Sequence, residues 1–364
     1  MWCVHSDRKS LLVLLLNTLV LSACGGGGGG GGGNSIGGGN SQSAWLIPQD
    51  EVVDGGPGID GIPALENPSY ESAVTNTTLA PDDLVIALRS DGQTKVFPHD
   101  IMDWHEIVND GPSDDPFIMS YCPLTGSAMA WKGRASDADA TFGVSGLLYN
   151  SNLVLYDRAT RSFWSQMLQL SVNGSRIRER PETVQVIETT FATLTDMYPD
   201  ALVMTRDTGH SRNYDQYPYG DYLTSTRLLF DVSRADSRLH PKERAIGICE
   251  NDACKVYQLE GFGTSTQAIN EQFNDQSIVV IGNSALNVAA IYNRQLSDGT
   301  ILTFDPLQDE LPNIMSDTEG NVWDIFGTAV SGPRSGEQLD TTQSYTAMWF
   351  AWVALFDPVD VHFN

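Results

Sequence analysis

The chain has 364 residues, of which 21 are Lys or Arg and 46 are Asp or Glu, so its formal net charge is −25. Such an acidic surface repels phosphate backbones and anionic lipid headgroups, which argues against nucleic acid as a partner. The length allows one large domain or two ordinary ones.

The first residues have the pattern of a bacterial secretion signal. Arg8 and Lys9 precede the apolar run "LLVLLLNTLV", which is too short to span a membrane. The next residues, "LSAC", match a lipobox, so we expect a signal peptide over residues 1–23 and acylation of Cys24, for example by palmitate. The alternative is an ordinary signal peptide with an incidental Cys. Because several acyl chains anchor stably, the expected partner is the lipid bilayer. Gly25 resembles the sorting pattern of outer-membrane lipoproteins, so the predicted location is the cell envelope, at the outer membrane.

A glycine-rich stretch separates this anchor from the body of the protein. Residues 24–43 contain almost nothing apolar and many glycines, which favours a flexible tether. We predict that the body divides into a first unit over residues 44–222, which holds the candidate site, and a linker with a second unit over residues 223–364.

The cysteines of the body fall into a pair and a single residue. The run "AIGICENDACKVYQL" predicts a β-hairpin with its turn at Asn251 and Asp252, which places Cys249 opposite Cys254. Facing Cβ atoms lie about 4.5–5.5 Å apart, and the envelope is oxidising, so a disulfide is expected. Two unpaired thiols or a metal clip are the alternatives. Cys122 is left without a partner.

Similar segments recur at a nearly constant spacing, which indicates an internal repeat. "VIALRSDGQTKVFP" matches "AIGICENDACKVYQ" at an offset of 160, and Trp164 matches Trp323 at an offset of 159. Each unit reads as a hairpin, a short helix, further strands, a helix and a final strand. The predicted fold class is therefore a strand-rich α+β fold in which two pseudo-symmetric repeats pack into one large domain.

Polar residues that occur in one unit alone are candidates for a site. Cys122 ends the apolar run "FIMSYC", and His105 and Glu106 precede it in the chain. A thiol beside a His suits nucleophilic chemistry or binding of copper, zinc or iron, although free Cys is also a common buried residue. His105 is either a ligand or thiol partner, or a packed residue. Cys122 and His105 are thus the candidate catalytic residues, and the candidate metal ligands if a metal is bound.

Three further residues are candidate ligand-binding groups beside Glu106. Asp157 and Arg158 end the run "NLVLYDR", where the Arg is either an anion clamp or a partner in an internal salt bridge. Gln166 has no polar counterpart in the second unit. The sequence lacks the nucleophile elbow, the phosphate loop, the zinc-protease motif and the dinucleotide fingerprint.

Several motifs together resemble a known family. "HEIVND", "YCPLTGSA", "FGVSGLLYNSNLVLYDRAT", "FWSQ" and "MWFAW" occur in the order found in domain of unknown function 3179, a bacterial and archaeal envelope-associated family. The resemblance implies no activity or cofactor. Many relatives place a second Cys where Thr125 stands here, and this departure weakens a redox or metal role for this chain.

The leading hypothesis is an envelope lipoprotein with a ligand-binding site in the first unit. One form of this hypothesis gives the site a redox or metal-linked role. One alternative is a thiol-dependent hydrolase or transferase that uses Cys122 as nucleophile, with His105 as the base. Another is a non-catalytic envelope scaffold. The sequence leaves open whether the protein is an enzyme, which cofactor it uses, and whether its partner is a small molecule or an envelope protein.

Overall fold

A computed structural model describes residues 44–133, 141–250 and 253–362 of the protein. The predicted signal peptide, Cys24 and the tether lie outside the described residues, and so does the predicted turn at Asn251 and Asp252. About 42% of the described residues lie in strands and 10% in helices.

The described residues form 26 strands and three α-helices. The strands before residue 205 are β1 (Val52–Asp54), β2 (Leu65–Glu66), β3 (Tyr70–Ser72), β4 (Leu84–Ser90), β5 (Gln93–Pro98), β6 (Ile107–Asp110), β7 (Phe117–Cys122), β8 (Ser127–Lys132), β9 (Phe142–Tyr149), β10 (Asn152–Asp157), β11 (Phe163–Ser165), β12 (Leu170–Asn173), β13 (Thr183–Val184), β14 (Val186–Thr190) and β15 (Leu202–Met204).

The strands after residue 243 are β16 (Arg244–Glu250), β17 (Ala253–Gln258), β18 (Gln267–Phe273), β19 (Gln276–Asn283), β20 (Val288–Asn293), β21 (Phe304–Pro306), β22 (Asn313–Asp317), β23 (Val322–Asp324), β24 (Ala329–Ser331), β25 (Ser344–Met348) and β26 (Val359–His362). The α-helices are α1 (His99–His105), α2 (Phe191–Met197) and α3 (Trp349–Leu355). Each has seven residues, and short 3-10 helices lie at Gln49–Glu51, Ala73–Thr75 and Glu260–Phe262.

The strands of the described chain are arranged in six separate sheets. The sheet orders are β1-β9-β10-β11-β12, β13-β8-β7-β6-β2, β14-β4-β5-β15-β3, β25-β16-β17-β26, β18-β19-β20 and β21-β22-β23-β24. Every residue of β7 and of β10 is buried, so these strands are covered on both faces, as their apolar composition favours.

The predicted α+β class is wrong, because the chain is mostly β. The sequence pattern placed helices correctly beside strands, but each α-helix has only about two turns, and strands fill most of the rest. Many strands carry β-branched and aromatic residues, which favour the extended backbone.

The predicted packing of two pseudo-symmetric repeats is also wrong, because the strands form several separate sheets. Strand pairing does show a likeness, since β4–β5 and β16–β17 each lie between an antiparallel strand and a parallel strand. Two of the four hydrophobic clusters of the described residues, however, combine both parts of the chain, and each part has one further cluster of its own. One cluster contains Ile107 and Trp164 together with Ala245 and Trp349. Because the two larger clusters are shared, the sheets of the described body pack across the predicted boundary and not as two pseudo-symmetric repeats.

The predicted disulfide is confirmed. Cys249 on β16 and Cys254 on β17 are register partners, their Cα atoms lie 4.1 Å apart, and their sulfur atoms are bonded. Cys122 is a free, buried cysteine.

Candidate functional site

His105 is the last residue of α1, and both of its ring nitrogens have partners in the protein. Nδ1 lies 2.8 Å from the carbonyl oxygen of Pro63, and Nε2 lies 2.7 Å from the hydroxyl of Tyr214. Because a carbonyl only accepts, Nδ1 carries the proton and the Tyr214 hydroxyl donates to Nε2. Burial lowers the pKa of His105 to about 4, so the ring is neutral at pH 7.

Cys122 lies at the end of β7 with 1% of its surface exposed. Its Sγ lies 3.7 Å from the carbonyl oxygen of Ser151, to which the thiol donates. Burial, and then the charge of Glu106, raise the pKa of Cys122 to about 11. Since the thiolate is the reactive form, this environment disfavours the reactive state of the sulfur at neutral pH. In the described part of the chain, no hydrogen bond joins His105 and Cys122.

Glu106 follows α1 in an unusual backbone conformation. Its φ is +58°, a region that residues other than glycine rarely adopt. Its N–H donates to the carbonyl of Met102 at 2.8 Å, and its carbonyl accepts from the N–H of Tyr121 at 2.7 Å. Both bonds hold the residue in place, and strained positions of this kind are frequent at functional sites.

Burial raises the pKa of the Glu106 carboxyl to about 8, so it is largely protonated at neutral pH. The Tyr219 hydroxyl lies 3.4 Å from Oε1 of Glu106. Asp103 is a second carboxyl that the charge of Glu106 influences. Burial, and then the charges of Asp100 and Glu106, raise the pKa of Asp103 to about 8. Two carboxyls with raised pKa values near one another are a typical feature of functional sites.

The Glu106 side chain lines a pocket with a volume of about 250 Å³. Among the described residues, Glu106 and Tyr219 supply the only polar side chains of its wall. The apolar side chains that line it include Leu124, Val144, Leu148, Leu153, Leu229 and Phe230. The result is an apolar space with one protonated carboxyl, which we call the Glu106 pocket.

At one wall of the Glu106 pocket, two backbone segments approach each other closely. The N–H of Gly55 donates to the carbonyl of Gly146 at 2.7 Å. Gly146 has φ +79°, and a Cβ there would lie 2.7 Å from the backbone nitrogen of Gly58. Glycine is therefore required at residue 146 for this wall to form.

A tyrosine-rich segment covers the turn after Cys122, and the sequence analysis did not assign it to the site. The Tyr222 hydroxyl donates to the carbonyl of Leu124 at 2.8 Å, and the Tyr217 hydroxyl lies 3.5 Å from the carbonyl of Pro123. The available signal was the run "NYDQYPYGDY", whose tyrosines are dense for a segment without predicted strands.

Asp157 and Arg158 have internal partners and do not line the Glu106 pocket. Asp157 accepts from the Thr160 hydroxyl and from the indole N–H of Trp164, the latter at 3.0 Å. Asp317 accepts from Trp323 in the same way at 2.8 Å. This recurrence supports a structural role for the Asp157–Trp164 bond.

Arg158 forms an ion pair with Glu66 at 2.5 Å and one with Asp60 at 3.2 Å. Both carboxylates pair with the guanidinium, which ties β2 and the segment before it to the residue that follows β10. The structure therefore gives Arg158 the salt-bridge arrangement that the sequence analysis had weighed against an anion clamp.

Gln166 is fully buried in a network of polar side chains. Its Oε1 accepts from Ser127 at 2.7 Å and from Asn152 at 2.8 Å, and its Nε2 donates to Ser120 at 3.1 Å. Each polar group of Gln166 has a partner, so the amide is engaged within the protein.

A second group of buried charges was also missed. Glu188 on β14 forms an ion pair with Arg244 on β16 and lies 3.7 Å from the ring of His99. Burial lowers the pKa of His99 to about 4, whereas Arg244 and His99 hold the pKa of Glu188 below its usual value against the effect of burial. This cluster connects the third and fourth sheets. Buried ion pairs leave little signal in a single sequence, because their partners lie far apart in the chain.

Residues 44–133, 141–250 and 253–362 contain no group of three or more His, Cys, Asp or Glu side chains that is arranged to hold a metal ion. Over the same ranges, none of the helices combines the length and the apolar character needed to cross a membrane.

The fold and this pocket define a mostly β protein with a largely apolar pocket beside a buried carboxyl. The chain belongs to the family of proteins of unknown function called DUF3179, whose model matches residues 59–359. The family expected from the sequence motifs is therefore confirmed. Comparison with curated proteins and with solved structures found no match.

Proposed function

We propose that the protein is an envelope lipoprotein that binds a small, largely apolar molecule in the Glu106 pocket. The observation that carries the proposal is the protonated carboxyl of Glu106 in an otherwise apolar pocket of about 250 Å³. Ligand sites are commonly apolar spaces with few polar groups that fix the orientation of the ligand.

The chemistry of the pocket selects the ligand. An apolar cavity of about 150 Å³ holds benzene, so the larger Glu106 pocket has room for a substituted ring or a short acyl chain. A protonated carboxyl donates a hydrogen bond, which favours a ligand with a carbonyl or another acceptor. A carboxylate or phosphate ligand is disfavoured, since none of the described Lys and Arg residues lines the pocket.

Binding is tested by fluorine NMR with 4-fluoroacetophenone, a ring that carries one carbonyl. We expect its signal to broaden with the unaltered protein and not with Leu229→Trp, which fills the pocket. Leu223→Trp is the matched control, because Leu223 belongs to the same segment, is 47% exposed and lies outside the pocket. Equal broadening with both variants, or none with the unaltered protein, would contradict the proposal.

The lipid anchor is the second part of the proposal and is supported by the lipobox that ends in Cys24. We expect the full chain to be found in the membrane fraction and to incorporate labelled palmitate. Cys24→Ser removes the acylated thiol and should shift the protein to the soluble envelope fraction without label. Cys3→Ser is the control and should change neither property. A membrane-bound, labelled Cys24→Ser protein would exclude this anchor.

A further inference from the structure

A second pocket, separate from the Glu106 pocket, has a volume of about 520 Å³ and is lined by polar and apolar residues in similar numbers. It lies between the segment at Leu46, the residues around Gln169 and the hairpin that carries Cys249. Its size is within the range of about 300–1,000 Å³ that is usual for ligand sites.

Gln169 lines this second pocket with one hydrogen-bonding atom unused. The residue is 3% exposed, and its Nε2 donates to the carbonyl of Gln343 at 3.3 Å. Its Oε1 is buried and has no hydrogen-bond partner in the described part of the chain. Buried acceptors are seldom left without a partner, so this oxygen indicates that a donor group belongs there.

Arg180 and Glu250 line the same pocket and carry opposite charges. Nη1 of Arg180 donates to the carbonyl oxygens of Leu168 and Gln169, at 3.1 and 3.5 Å. Among the described residues no carboxylate pairs with Arg180, so the rest of its fork of donors is available. Oε2 of Glu250 is buried without a hydrogen-bond partner, again within the described part.

We propose that the second pocket binds a free amino acid or a short peptide by its two charged ends. The guanidinium of Arg180 matches the geometry of a carboxylate, and Glu250 is an acceptor for an ammonium group. The Gln169 oxygen accepts a further N–H from the ligand. The Cys249–Cys254 disulfide holds the hairpin next to Glu250 and so keeps that carboxylate at the pocket.

The test is saturation-transfer NMR on the purified full chain with the L-amino acids and a set of dipeptides, followed by calorimetry on those that bind. Each bound probe is compared with its C-terminal amide and its N-acetyl derivative. We expect Arg180→Met to weaken binding of the free carboxylate about tenfold or more, and to leave binding of the amide unchanged. Glu250→Gln should weaken binding of the free amine by a similar factor and spare the N-acetyl form.

Two matched variants control for the loss of charge. Arg178→Met and Glu260→Gln remove the same charges at exposed positions outside the second pocket, and they should leave binding unchanged. Circular dichroism checks that every variant is folded. The proposal is overturned if no amino acid or dipeptide binds at millimolar concentration, or if Arg178→Met weakens binding as much as Arg180→Met does. Both results are independent of the Glu106 pocket.

Discussion

Burial sets the protonation states of the residues around the Glu106 pocket. It lowers the pKa of His105 and raises the pKa values of Cys122 and Glu106, so all three side chains are neutral near pH 7. A thiol-dependent enzyme needs the opposite arrangement, with a His in contact with a thiol whose pKa is lowered. The predicted roles of Cys122 and His105 in catalysis or metal binding stay predictions, and the reactivity of the Cys122 thiol in the folded protein tests the catalytic role.

Cys122 should resist iodoacetamide in the folded protein at pH 7.5 and react fully in denaturant. The reason is its 1% exposure combined with a pKa of about 11, which leaves little thiolate. Peptide mass spectrometry of the Cys122 peptide measures the modified fraction under both conditions. Rapid modification of the folded protein would instead support a reactive thiol, and with it the hydrolase or transferase alternative.

At the scale of elements, the site depends on where strands and helices end. The helix α1 ends at His105, the positive φ of Glu106 turns the chain, and β6 begins at Ile107. Gln166 similarly joins the ends of β8 and β10 through Ser127 and Asn152. These contacts place polar side chains at the ends of strands and helices, although His105 and Cys122 do not form a hydrogen-bonded pair in the described part of the chain.

Gln166→Leu should destabilise the protein by about 3 kcal/mol, because it leaves buried partners such as Ser127 and Asn152 without their bonds. Denaturant unfolding followed by fluorescence measures the change. Gln93→Leu, at an exposed position of β5, should change the stability by less than about 0.5 kcal/mol. A stability loss below about 1 kcal/mol for Gln166→Leu would argue that the amide is held for a ligand and not for the fold.

At the scale of the whole molecule, local features were predictable and packing was not. Hairpin pairing fixed the disulfide, since the register of Cys249 and Cys254 depends on a few neighbouring residues. The motifs likewise identified the family. Similar hairpins, however, do not determine which sheets share a core, and two of the four hydrophobic clusters of the described residues combine both predicted units. Glu106 was named as a candidate, but the tyrosines that cover its surroundings lie about 110 residues further along the chain, a distance that no local pattern spans.

The most direct test of the Glu106 pocket is the affinity for 4-fluoroacetophenone, measured by fluorine NMR at pH 6.5 and pH 9.5. The protonated carboxyl donates to the carbonyl of the ligand, and it loses that proton as the pH rises through the pKa of about 8. We therefore predict that binding weakens about tenfold or more at the higher pH. Glu106→Gln keeps neutral N–H donors, so its affinity should be the same at both pH values. Absence of binding at pH 6.5, or an affinity of the unaltered protein that does not change with pH, would contradict the account.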